Sequence, residues 1–227
     1  MSDIIREVDE ELRRERYQKI WERYGAYLVI AAILVVLAVA GWRAWDWYQT
    51  REAEKAGARF EAILKLLNDG RRFEAEADLN TLAKDAPSGY RLLALFRAAA
   101  EAGKTDPAAG VAAYDAIADD ASIEPLLRDL ARVHASLLLL DTASVTEIAR
   151  RMEPLLSPLS AFRHSAREIL ALARYKSGEH QAAEKLFTEL LTDPSTPPSM
   201  RTRAEVIRTL LTDAAAASPA ASGPATQ

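Results

Sequence analysis

From Tyr24 to Trp42 the chain reads YGAYLVIAAILVVLAVAGW, a run without a charge that is closed at its ends by Arg23 and Arg43. At a helical rise of about 1.5 Å per residue this run is roughly 29 Å long, close to the thickness of a bilayer's hydrocarbon core. Positions 28, 29, 30, 33, 34, 35, 36, 37 and 39 are Leu, Ile or Val. Each contributes about −0.3 to −0.6 kcal/mol on insertion scales, so together they favour insertion. Every tryptophan of the protein lies at the two ends of the run, where amphipathic rings prefer the headgroup layer. The pattern predicts a transmembrane helix over 24–42. Its interface anchors are Trp21, Arg23, Tyr24 and Tyr27 on one side and Trp42, Arg43, Trp45, Trp47 and Tyr48 on the other. A buried core helix gives no reason for such brackets. A cleaved signal peptide has Ala38-Val39-Ala40 in its favour, but the leader is long and rich in acidic residues and the apolar run exceeds a typical h-region.

Ahead of the span, Ile4, Ile5, Val8 and Leu12 recur at helical spacing among many charges, which predicts a charged helix over 1–23. Beyond it the helical pattern continues through Phe60, Ile63, Leu64 and Leu67 to Asn68-Asp69-Gly70, where Gly suits the left-handed position that ends a helix. Further breaks follow at Ala86-Pro87-Ser88-Gly89, Gly103, Ile123-Glu124-Pro125, Asp141-Thr142, Ser157-Pro158, Gly178 and Asp193-Pro194. If Gly70, Gly103, Asp141 and Gly178 are the turns within helix pairs, the period is that of a helix-turn-helix solenoid. No sustained alternation of period two appears, so strands are not expected.

The clearest unit runs from Leu170 to Asp193-Pro194 and resembles a tetratricopeptide repeat. Small Ala171 and Ala183 stand where two antiparallel helices must approach, Gly178 makes the turn, Phe187 packs and Pro194 ends the second helix. Earlier units, with Gly70 and with Ala94 and Gly103, keep the turn and the small residues but lose much of the rest. Each pair exposes an apolar face until a neighbour covers it, so the pairs should stack as one body. The expected architecture is all-α: a single N-terminal transmembrane helix, then a tetratricopeptide-like solenoid over 43–213. Its last helix, from Met200 to Asp213, is the terminal cap. The tail 214–227 is Ala, Ser, Pro and Gly without aromatic residues and is expected to be disordered.

Charge fixes the expected orientation. Arg6, Arg13, Arg14, Arg16, Lys19 and Arg23 precede the span, against Arg43, Arg51, Lys55 and Arg59 after it. This bias keeps the short tail cytoplasmic and exports the C-terminal part. The chain has no cysteine, so it offers neither disulfides nor thiol chemistry. His134, His164 and His180 are scattered over separate segments, without metal-ligand spacing. Phosphate loops, dinucleotide fingerprints and nucleophile elbows are absent, and the carboxylates sit in ordinary helical contexts, so neither catalytic residues, metal nor cofactor is expected. Arg201, Arg203 and Arg208 form a basic end, but a mildly acidic protein is a poor nucleic-acid binder.

The whole layout is similar to a known family. The charged tail, the span leaving the membrane through Gly41-Trp42-Arg43-Ala44-Trp45, and Leu126-Leu127-Arg128-Asp129-Leu130-Ala131 amid degenerate repeats resemble the YfgM-type ancillary subunit of the bacterial SecYEG translocon. That resemblance implies an inner-membrane protein with a periplasmic tetratricopeptide-like domain. It would work beside the translocon with a membrane-anchored periplasmic chaperone of the prolyl-isomerase type, on protein clients. The residues that would bind these partners, and any self-association, are not legible. A cell-envelope assembly or division adaptor, or a signalling regulator acting through the cytosolic helix, would use the same fold.

Overall fold

The computed structural model describes the backbone of residues 2–217 and the side chains of 21 and 23–211. It is all-helical: among the described residues there are nine α-helices, one 3-10 turn and no strand. The helices are α1 (Ser2–Asn68), α2 (Arg72–Asp85), α3 (Ser88–Thr105), α4 (Pro107–Asp119), α5 (Pro125–Leu139), α6 (Val145–Met152), α7 (Arg163–Lys176), α8 (His180–Thr192) and α9 (Pro198–Ala217), with the 3-10 turn at Glu153–Leu155. The chain divides into two compact units, Met1–Arg59 and Phe60–Gln227. In the first, α1 carries the predicted span with its apolar side chains exposed.

In the second unit each helix packs mainly on the next one in sequence, and α5 on α7 and α7 on α9 also touch. From α3 onward neighbours in sequence pack together, and α5 stacks on α7 and α7 on α9 as first helices of successive pairs, which is how a solenoid propagates. The core runs on without a break between pairs. Ala99, Tyr114, Ile117, Ala131 and Ala135 join α3, α4 and α5; Val133, Ile148, Met152, Ala166 and Ile169 join α5, α6 and α7. Ala171, Ala183, Phe187, Leu190, Ala204 and Leu211 join α7, α8 and α9.

Local chemistry sets the breaks. At Gly70 (φ +79°) the Arg71 amide donates to Leu66 O at 2.9 Å and the Gly70 amide to Leu67 O at 3.2 Å. At Gly178 (φ +82°) the Glu179 amide donates to Arg174 O at 2.9 Å and the Gly178 amide to Tyr175 O at 3.1 Å. Both are Schellman turns, whose left-handed residue carries no Cβ penalty when it is Gly. The second pair turns without glycine. The Asp106 side chain accepts from the Ala108 amide at 2.9 Å and Pro107 opens α4, a helix start that uses a cap and a residue with no amide to satisfy. The third pair restarts at Ser144, which accepts from the Glu147 amide at 3.2 Å.

Two expectations change. Gly103 lies inside α3 rather than at the turn, which comes later at Asp106. Its conformation is ordinary for a helix, and its role is contact: a Cβ on Gly110 would sit 2.5 Å from the Gly103 Cα, so the backbones of α3 and α4 touch there. Helix α9 extends past Asp213 through Ala214–Ala217, because alanine is the strongest helix former. Residues 218–227 of the predicted tail lie outside the described residues.

Candidate protein-binding face and membrane helix

The large apolar side chains of the run are exposed. Val35, Leu37 and Val39 are each more than 60% exposed, values that belong to a side chain facing a solvent. Water is the wrong solvent for such a surface, and lipid is the right one. One helix among the described residues, Arg23–Asn68, is long and apolar enough to cross a membrane by length and composition. Trp21, Tyr24, Tyr27, Trp42, Trp45, Trp47 and Tyr48 are all exposed at the ends of the run. Arg23 lies 6.0 Å from the Tyr24 ring centre, Trp45 and Tyr48 are 6.4 Å apart, and Arg43 approaches Asp46 at 3.9 Å. Gly25, the second residue of the run, is buried beneath Trp21 of the preceding turn.

Ala94, Ala171, Ala183 and Phe187 are fully buried, and Pro194 is exposed just past the end of α8. The three histidines have separate surroundings. His134 stacks on Tyr114 at 5.1 Å, with Phe96 at 6.2 Å, and burial pushes its pKa down. His180 tilts against Tyr175 at 5.7 Å. His164 is buried on α7 against the α8–α9 connection, its Nδ1 3.3 Å from the Thr196 hydroxyl and its Nε2 3.3 Å from that of Ser195. Burial and the Arg163 and Arg167 charges lower the His164 pKa, with Asp193 opposing. The Asp193 carboxylate is held at about 2, chiefly by the Ser195 hydroxyl and backbone amide.

Serine, histidine and aspartate therefore meet at this connection, but not as a nucleophilic trio. The Ser195 hydroxyl donates to Asp193 and accepts from Arg163, while Asp193 stands 3.9 Å from the imidazole. A hydroxyl bound on both sides is a tether, and Arg201 adds long contacts to the Asp193, Pro194 and Thr196 carbonyls. No group of His, Asp or Glu suited to a metal occurs among the described residues.

The surface that remains is on the first helices of the pairs. On α5, Leu126, Leu130 and Leu137 share one helical face; the first and last are about half exposed, whereas Ala131 and Ala135 on another face are sealed in the core. On α3, Leu93 is half exposed above the buried Ala94. The N-terminal ends of α3 and α5 enclose a cleft of about 250 Å³ lined by Ser88, Arg91, Leu92, Ile123, Glu124 and Leu127. Arg91 borders it and reaches Ser122 Oγ at 3.5 Å and Asp120 at 4.0 Å. Half-buried leucines beside charged groups of both signs can hold a peptide chain, with apolar anchors and polar registration. Sequence reasoning singled out Leu126-Leu127-Arg128-Asp129-Leu130-Ala131 without dividing it. Only packing shows that Leu127 and Ala131 serve the core and Leu126 the surface.

A family model described as a tetratricopeptide repeat-like domain matches residues 18–169, more than half of the chain. The match begins ahead of the apolar run and ends within α7, so it takes in the whole apolar run and leaves the most regular pair, α7–α8, largely outside. No curated protein and no solved structure matches the chain.

Proposed function

This chain belongs to the tetratricopeptide repeat-like domain family, and from that premise we propose that it is a non-enzymatic scaffold, anchored in a membrane by residues 24–42, that binds proteins through the first helices of its pairs. The observation that carries this reading is the half-exposed leucine face of α5, Leu126 and Leu137, beside a fully packed core. A side chain that the fold has left half in water is available to a partner, whereas repeats of this family are generally protein-binding rather than catalytic. Tethering restricts the partners. Two proteins held in one membrane meet at high effective concentration, so a modest interface suffices.

The finer reading is a bacterial inner-membrane protein with residues 1–23 in the cytoplasm and 43–213 in the periplasm. It serves the SecYEG translocon together with a membrane-anchored periplasmic chaperone, on emerging protein clients. Its support is the resemblance carried by Gly41-Trp42-Arg43-Ala44-Trp45 and by Leu126-Leu127-Arg128-Asp129-Leu130-Ala131. Photo-crosslinking residues at Leu93, Leu126 and Leu137 in native membranes should capture translocon or chaperone subunits. Capture of unrelated envelope proteins alone would replace the translocon role with an assembly adaptor. Because the chain has no cysteine, single thiols at Ser2 and Ser222 report topology: Ser222 should label in intact cells and Ser2 only after permeabilisation.

A further inference from the structure

We propose that α1, where it leaves the membrane on the side of the repeats, carries a site for the phosphate of an acidic phospholipid, built from Arg43, Trp47 and Arg51. The proposal rests on the reading of 24–42 as a membrane span. These three residues follow one another at four-residue spacing, so they lie along one face of the helix. The Arg51 guanidinium is 5.0 Å from the centre of the Trp47 ring and makes no ion pair among the described residues. Arg43 is 85% exposed and only loosely approached by Asp46, at 3.9 Å. On the next turn Lys55 is already neutralised by Glu52 at 2.7 Å.

Depth brings this pair of cations to the phosphates. Headgroups add about 5–7 Å to each side of the hydrocarbon core. Trp47 stands five residues, or about 7.5 Å, beyond Trp42, so its backbone is at the outer edge of that layer and its ring slopes back into it. Arg51 is a further turn out, but side chains on a helix slope toward its N-terminus, and the stacking on Trp47 shows that the guanidinium has come back to the level of the ring. Both cations therefore reach the headgroup layer, and a planar guanidinium matches a phosphodiester by paired hydrogen bonds. Two cations without a close carboxylate partner favour acidic over zwitterionic lipid, because the phosphate of a zwitterionic headgroup is already balanced by its own ammonium.

The test uses the full chain in nanodiscs of phosphatidylcholine, or of equal parts phosphatidylcholine and phosphatidylglycerol, with native mass spectrometry of the lipids retained. Phosphatidylglycerol should be retained preferentially. Arg51→Gln should lower that preference about five-fold, the worth of one cation near an acidic surface, and Arg43→Gln similarly. Lys55→Gln should leave it unchanged. Equal retention of the two lipids, or a loss shared by Lys55→Gln, overturns the site. Insertion is measured separately by alkaline extraction of native membranes: a chain released there removes the span and the lipid site with it, whereas a retained chain without lipid preference removes the lipid site alone.

Discussion

Helices α7 and α8 pack along their length around Phe187 and Leu190, with Ala171 and Ala183 letting the backbones approach. In the preceding pair α6 has only 8 residues and gives the core two fully buried side chains, Ile148 and Met152. What α6 lacks in apolar length is partly met by charge. Arg151, 18% exposed, donates to both oxygens of Asp115 on α4 at 2.6 and 2.9 Å and to Glu147 at 2.7 Å. Arg150 also donates to Glu147, at 2.9 and 3.1 Å, and the hydrogen bonds from Arg150 and Arg151 push the Glu147 pKa down, while the bond to Asp115 raises that of Arg151. Lys176 on α7 meets Asp141 in the α5–α6 turn. One repeat can thus be closed by volume and another by directional bonds, and the two should respond differently to substitution, salt and pH.

The largest effect is expected in the regular pair. Phe187→Ala, at a fully buried site, should cost about 3–5 kcal/mol in denaturant unfolding, from lost burial and the cavity left behind. Ala171→Leu or Ala183→Leu should overpack the same pair by about 1–3 kcal/mol; unchanged melting of both variants would reject this register. In the degenerate pair Arg151→Ala should cost about 1.5–3 kcal/mol, the range for hydrogen bonds to charged groups. A double-mutant cycle with Asp115→Ala should show strong coupling, and its absence would mean that α6 is held by Ile148 and Met152 alone.

Acid should act on the tether beyond α8. The His164 pKa is lowered by folding, so the unfolded chain takes the proton first, and stability falls as pH drops through about 6.5. His134 contributes with the same sign. Asp193, held at about 2 in the fold, adds stability above about 3.9 that is lost as pH falls toward 2. Melting temperature should therefore decline between pH 7 and 5, and His164→Asn should flatten that decline; an identical slope would place the acid sensitivity elsewhere. The smallest effect is expected at Ser136 on α5, fully buried with no partner for its hydroxyl among the described residues. Ser136→Ala should be neutral or stabilising by up to about 1 kcal/mol, since it removes a polar group that burial leaves unsatisfied.

The most regular pair was the most legible. Gly178 and Phe187 each answer a local demand, a left-handed turn and a large side chain at helical spacing, that the sequence displays within one unit. Gly103 was misread because glycine answers two demands, and its partner in the close crossing, Gly110, lies across the turn on another helix. Arg151 and Asp115 are 36 residues apart, and His164 and Thr196 are 32 apart. Nothing local marks either member, because any exposed helix carries such residues and only stacking chooses which of them meet.

By itself the sequence determined what depends on composition and short spacing: an all-helical chain, the apolar run from Tyr24 to Trp42 with its aromatic and arginine ends, and the punctuation of the helices. These follow from solvation and backbone sterics, which act residue by residue. Tertiary structure decided which leucines of α5 are core and which are surface, where helices touch through glycine, and which charges close the short pair. Those outcomes depend on a neighbour, and a helix's apolar face stays undefined until another helix covers part of it.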